Sequence, residues 1–300
     1  NTFTASADNN LVNYNASGVQ TVFPSITYHD LTLSGTSAKV MTNVTTIQGD
    51  LTVSGTATWN ATNAAFTVTG ALNYSSTSGT TTLTSSTAIS IGKYNQTGAG
   101  GTFADNGNTI TVTGTGASVW TKSAGTFTAT GTVIFTGDAP QIGATNFNNL
   151  TVSVGTSATL TGALDVNGNF SLTSGTFNCN SQNQNFAGDF SLSLGTTYTE
   201  GGTLTFDKIT TAQTVTDSTA APGQDLGTVT IGPSTATSVS TANKMHVTTL
   251  TIGADDALDI SGDTLTICGT GTPFSEGGGF TVTGSTVVYS GAGATNITTT

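Results

Sequence analysis

Apolar and hydroxyl residues alternate through much of the chain, as in Phe170-Ser171-Leu172-Thr173. A two-residue period of this kind marks a half-buried strand, with one face toward a core and the other toward water. The strand recurs at a fixed interval. Gly168-Asn169-Phe170-Ser171-Leu172 returns twenty residues later as Gly188-Asp189-Phe190-Ser191-Leu192, and Asn149-Leu150-Thr151-Val152 stands twenty residues before it. A second run places Asp30-Leu31-Thr32-Leu33 twenty residues ahead of Asp50-Leu51-Thr52-Val53. One spacing kept by five copies predicts a repeat architecture.

Each copy carries an Asp or Asn at its start, and most close on Gly-Thr. Asx side chains bond nearby backbone at turns, and Gly supplies positive φ, so both ends read as corners. Asp30, Asp50, Asn149, Asn169 and Asp189 therefore form a structural ladder of turn-making residues. Strand, corner and return within about twenty residues predict an all-β fold, a parallel β-solenoid or β-helix in which each coil lies on the one before. If every residue belonged to a coil, the 300 residues would form about fifteen coils, an upper bound, stacked at roughly 4.8 Å each. The alternative is a set of β-sandwiches chained by donor strands, but sandwiches have no reason to keep one spacing. No window shows a capped 3.6-residue apolar period, so essentially no α-helix is expected.

The whole of 1–300 reads as a single elongated solenoid, with an irregular segment at 197–245 that includes Pro222-Gly223 and Pro233. Beyond it, Leu250, Leu265 and Phe280 follow one another at fifteen residues, which predicts a narrower coil near the C-terminus.

Composition strengthens the stacking argument. In a stack, like charges directly opposite one another repel, whereas Thr and Ser can hydrogen-bond. Charged residues make up 7% of the chain, against about 25% in ordinary domains, while Ser and Thr number 98 of 300. The net charge of −11, with five Lys and no Arg, argues against nucleic acid as a partner. No run of about eighteen apolar residues exists, so no membrane span is expected. The sequence opens at Asn1 without Met or signal peptide, the form expected of a mature secreted product or an excised fragment. Cys179 and Cys268 stand 89 residues apart, about four coils, so both are expected free, Cys179 within the core.

Candidate chemistry is thin. His29 beside Asp30 and His246 beside Met245 belong to no catalytic spacing, and Thr97-Gly98-Ala99-Gly100-Gly101 lacks the flanking strand and helix of a phosphate loop. Catalytic and cofactor-binding residues are accordingly expected to be none. The densest acids, Asp255, Asp256, Asp259 and Asp263, are hard oxygen donors and the one weak Ca²⁺ candidate; solvated corners are the simpler reading. Eight Asn residues stand in glycosylation sequons: Asn15, Asn43, Asn60, Asn73, Asn95, Asn149, Asn169 and Asn296. With 23 Asn and a Ser/Thr frequency near one third, about eight arise by chance, so their number carries no argument.

The coils of form Asn/Asp-Leu/Phe-Thr/Ser-Val/Leu-x-Ser-Gly-Thr across 28–196 and 246–285 resemble the repeats of microbial surface β-solenoids. The nearest are filamentous-haemagglutinin-like and autotransporter-passenger-like adhesins. The resemblance implies an extracellular, cell-surface location and a structural role. Three functions follow as expectations: a subunit or segment of a filament or sheath joined end to end with itself, the stalk of a longer secreted adhesin that meets surface carbohydrate, and a polysaccharide-active β-helix enzyme. The filament is preferred, and the chain is read as no enzyme. An enzyme of that kind gathers Arg, Lys and acids on one sheet, and this chain has no Arg.

Overall fold

The computed structural model describes residues 4–61, 65–83, 88–208, 212–232 and 236–299; Pro233 falls outside them. The structure is all-β, a solenoid of about 13 turns with about 21 residues per turn. Described ladders run parallel, from Leu11↔Asp30 to Glu276↔Thr299. Parallel in-register pairing excludes the sandwich, whose neighbouring strands run antiparallel.

Contacts divide the chain into two compact units, Asn1–Asn148 and Asn149–Thr300. In the first, each turn has three faces, and each face sends a file of side chains inward. One file runs Leu31, Leu51, Leu72, Tyr94, Trp120, Ile142. Another runs Tyr28, Ile47, Val68, Ile91, Val112, Phe135. The third contains Lys39 and Trp59, then Thr81, Phe103 and Phe127. Trp59 and Trp120 are both buried, and Trp120 stacks on Tyr94 with centroids 4.3 Å apart. The rings of Phe127, Phe135 and Phe147 surround Trp120.

Lys39 is the unexpected member of that interior. Its stem is fully buried, and its Nζ donates to the carbonyls of Ala16 (2.7 Å), Thr36 (2.9 Å) and Gly18 (3.2 Å). Three carbonyl acceptors let an ammonium remain in an interior that would otherwise reject it.

The second unit has three faces as well. Phe170 pairs with Phe190, their rings stacked at 5.2 Å, and Val215 continues the file. A second file runs Leu164, Gln184, Leu204, Val229, Leu250, Phe274. The third face starts with Ser157–Thr159, Thr176–Asn178 and Thr197–Thr199 and includes Lys244–Val247, Thr264–Ile267 and Thr286–Tyr289 in the later turns.

Two sequence expectations change here. The segment 197–245 keeps its ladders: Thr203 pairs with Thr228 and Gln213 with Val239, so its coils are longer than the regular copies but still stacked. The additional length sits in excursions such as 218–224, which lie between strands and leave the stack intact. The narrower C-terminal coil is absent. Leu250, Leu265 and Phe280 occupy three different faces, and their true partners are Phe274, Val287 and Leu258. The spacing that joins those three residues therefore counts from face to face and not from coil to coil. Strands on all three faces share the same Leu/Phe-Thr-Ile/Val pattern, so the pattern alone does not tell one face from the next.

A file of glycines marks one corner of the first unit: Gly49, Gly70, Gly92, Gly114 and Gly137. A Cβ added at Gly92 would collide with the carbonyls of Thr69 and Gly70, one at Gly114 with the carbonyl of Gly92, and one at Gly137 with that of Gly114. Here backbones approach so closely that no side chain fits between coils.

Candidate functional site

The ladder residues do more than shape their own turns. Asp30 Oδ1 accepts the backbone N–H of Asp50 at 2.7 Å, and Asp50 Oδ1 accepts that of Ala71 at 2.7 Å. In the second unit Asn149 accepts from Asn169 at 2.8 Å, Asn169 from Asp189 at 2.9 Å, and Asp189 from Thr214 at 3.0 Å. Each side-chain oxygen thus serves the coil after its own. The expected local Asx turn is corrected to a bond between coils: the backbone carbonyls of Asp50, Asn169 and Asp189 accept from the preceding coil, at Leu31, Leu150 and Phe170, and the side-chain oxygen serves the following one. An outward file extends the same device: Asn73 Nδ2 donates to Asp50 Oδ2, Asn95 Nδ2 to Asn73 Oδ1, and Thr121 Oγ1 to Asn95 Oδ1.

That file bears on the sequons. Asn73 and Asn95 use their amide nitrogens between coils, so a glycan there would break the chain of bonds. Asn15, Asn43, Asn169 and Asn296 are exposed, while Asn60 and Asn149 are half-buried.

The acids at 255–263 do not converge. Asp256 is buried and its Oδ1 accepts the Thr237 N–H at 2.8 Å. Asp259 caps Ser261, and Asp263 accepts from Thr241 Oγ1 at 2.6 Å, on a different strand. Asp255 is exposed. His29 lies half-buried with Nδ1 at 3.1 Å from Asp30 Oδ2.

One group that does converge was not singled out in the sequence. A ligand atom each from Asp225, His246 and Cys268 lies within 4.8 Å of the others, and no other such trio of His, Cys, Asp or Glu occurs among the described residues. Three consecutive turns supply them. Asp225 bridges to His246 across the ladder, His246 lies on the strand Lys244–Val247, and Cys268 follows its partner strand Thr264–Ile267. Cys268 Sγ donates to Asp225 Oδ2 at 3.3 Å, and Thr248 Oγ1 donates to the same oxygen at 2.9 Å. His246 Nδ1 lies 3.3 Å from the Gly223 carbonyl. Burial, more than the neighbouring carboxylate, pushes the Cys268 thiol above its ordinary range. Glu200 is close enough to feel this group: burial raises its carboxyl pKa, Asp225 adds to the rise and His246 opposes it.

A pocket of about 820 Å³ opens beside the group, with Pro222, Lys244, His246, Thr266, Cys268 and Val288 on its walls. One wall is the 218–224 excursion. The buried Asp217 carboxylate holds it, accepting from Thr219 N at 2.8 Å and Gln224 N at 2.7 Å, while Lys244 Nζ caps the Asp217 carbonyl at 2.8 Å. The order of the chain carries a usable signal, since Asp225, His246 and Cys268 follow one another at close to one coil each.

Cys179 is its opposite in character. It is free and fully buried, and burial pushes its thiol up to about 12, so it stays protonated and packs as a small apolar group.

A second acidic feature sits on the outer face of the second unit. Asn185 Nδ2 donates to Asp165 Oδ1 at 3.3 Å and to Asp207 Oδ2 at 2.8 Å. Burial raises the Asp165 pKa, the Asn185 bond lowers it, and the Asp207 charge raises it further. A carboxyl with a raised folded pKa favours the folded state most when protonated, and that contribution fades as pH climbs through the raised value. Asp165→Asn is expected to raise the melting temperature at pH 7 by at most about 2–4 °C. The gain should shrink as pH falls to the ordinary aspartate value of 3.8, which thermal melts of both proteins at several pH values would check.

No family model, curated protein or solved structure matches the chain.

Proposed function

We propose that this chain is a structural segment of an extracellular filament or sheath, joined to further copies through strand edges at the ends of its coils. The observation that carries the reading is the file of bonds from coil to coil, Asn73 to Asp50, Asn95 to Asn73 and Thr121 to Asn95, a pattern that a further coil of matching spacing can continue. Among the described residues, Leu11–Tyr14 and Gln20–Val22 are each paired along one edge only, as are Gly279–Thr281, Thr286–Tyr289 and Thr295–Thr299. Unpaired parallel edges are templates for another strand. The apolar residues beside them are exposed: Leu11 at 62%, Val19 at 68% and Phe23 at 53% near one edge, Val282 and Val288 near another. A coil of matching spacing laid over these edges would bury them, and repeating that contact head to tail gives an open assembly.

The outward surface fits the same role. Its Thr and Asn files bond from coil to coil, as at Asn73, Asn95 and Thr121, which ties neighbouring turns together mainly through neutral groups. The resemblance to surface solenoids of the filamentous-haemagglutinin and autotransporter-passenger kind supports an extracellular setting. The second reading, a stalk within a larger adhesin that meets surface carbohydrate, rests on the same edges being covered by neighbouring repeats of one chain.

Purified protein at rising concentration is expected to form linear particles several coils longer than one chain, seen by negative-stain electron microscopy and as concentration-dependent sedimentation. Compact monomers at every concentration would remove the filament reading. The intact mass of the native polypeptide then separates filament subunit from stalk, because a stalk belongs to a much heavier chain.

A further inference from the structure

We propose that Asp225, His246 and Cys268 form a binding site for one divalent transition metal ion of the zinc class, facing the pocket beside them. The donor set is one carboxylate oxygen, one imidazole nitrogen and one thiol sulfur, the three ligand types that Zn²⁺ takes from proteins. Ca²⁺ and Mg²⁺ prefer all-oxygen sites, so sulfur and nitrogen point away from them. Tetrahedral zinc with bonds of about 2.0–2.3 Å requires ligand atoms somewhat under 4 Å apart. Sγ of Cys268 and Oδ2 of Asp225 already meet that at 3.3 Å, and a ring nitrogen of His246 lies within 4.8 Å of both other ligand atoms, a gap that a small shift closes.

Outer bonds hold the ligands in place. Thr248 Oγ1 donates to the Asp225 carboxylate, and Asp225 Oδ1 accepts the Gly227 N–H at 2.9 Å. The Gly223 carbonyl, carried by the loop that Asp217 organises, lies 3.3 Å from His246 Nδ1, and the tautomer that donates to it is the one that leaves Nε2 free to ligate. Second partners of this kind fix ligand orientation in metal sites. The three ligands come from neighbouring turns: His246 lies on a strand, Cys268 directly follows its partner strand, and Asp225 meets His246 through a single bridge. With three protein ligands, the fourth position faces the pocket that His246 and Cys268 both line. Metal entry displaces the thiol proton to solvent and forms a metal–thiolate bond. A bound ion would also clamp three coils together.

The test is titration of the chelator-treated, reduced full chain with Zn²⁺ by calorimetry and with Co²⁺ by absorption. One equivalent of each ion is expected to bind, and Co²⁺ should give a thiolate charge-transfer band in the near ultraviolet. Cys268→Ser should abolish that band, and His246→Gln should weaken binding at least about tenfold. Cys179→Ser and Asp259→Asn should leave both unchanged. Circular dichroism of each variant checks that the fold persists; His246 and Cys268 are only half-buried, so it should. Absence of saturable binding would overturn the proposal. So would binding without the thiolate band, or binding indifferent to both Cys268→Ser and His246→Gln.

Discussion

Gly114→Ala is expected to destabilise the first unit by about 2–4 kcal/mol, a fall in melting temperature of about 5–15 °C. The added methyl would enter the space of the Gly92 carbonyl oxygen. That atom belongs to the backbone of the preceding coil, so relief requires two coils to separate, weakening ladders on both sides. The same geometry repeats at Gly92 and Gly137, and their alanine variants should behave alike. Gly18 is the control. Nothing lies within 4 Å of a Cβ there, and Gly18→Ala should change stability by less than about 0.5 kcal/mol. Equal melting curves for the Gly18 and Gly114 variants would show that the glycine file is not a packing requirement.

Asp105→Ala is expected to lower stability by about 2–3 kcal/mol. The carboxylate is fully buried, and Oδ1 accepts from Thr130 N at 2.8 Å, Thr130 Oγ1 at 2.8 Å, Gly131 N at 3.0 Å and Gly107 N at 3.2 Å. Truncation removes the acceptor of the buried Gly131 N–H, while the exposed Gly107 N–H keeps Thr130 Oγ1 at 2.8 Å and the exposed Thr130 N–H can turn to water. Asp105→Asn keeps one acceptor oxygen and should cost about half as much. Chemical denaturation of the three proteins would order them as wild type, Asn, Ala. A reversed order of the two variants would mean that the asparagine NH2, set among backbone donors, costs more than the acceptor oxygen it comes with returns.

The stack is legible in the sequence because its cause is local and repeated. Alternation in Phe170–Thr173 gives the strand, and the recurrence at Asn149, Asn169 and Asp189 gives the pitch. Phe170 lying on Phe190 is the direct consequence. The Asx ladder is visible as a column, yet the column does not say which N–H each oxygen accepts. A side chain able to bond its own turn or the next coil leaves the same mark in sequence. Asp105 and Lys39 leave none. Lys39 sits at an inward position of an alternating strand, where a charged residue reads as an interruption; only the fold brings three carbonyls around its ammonium.

The metal-ligand trio falls between these cases. Asp225, His246 and Cys268 are one coil apart, so the period predicts that they share a flank, but the coil there is slightly longer than in the regular copies. Even a small drift per turn alters which side chains meet, because successive residues on a strand face opposite ways.

The amino-acid order by itself determined strand, corner and parallel stacking, since period-two burial, Asx and Gly at turns, and tolerance of like-on-like neighbours are all properties of short segments. The tertiary structure alone decided the three-faced coil, the bonds that run from one turn to the next, and the meeting of Asp225 with His246 and Cys268. Those depend on how much chain each corner consumes, a quantity that settles only when the coils close on one another.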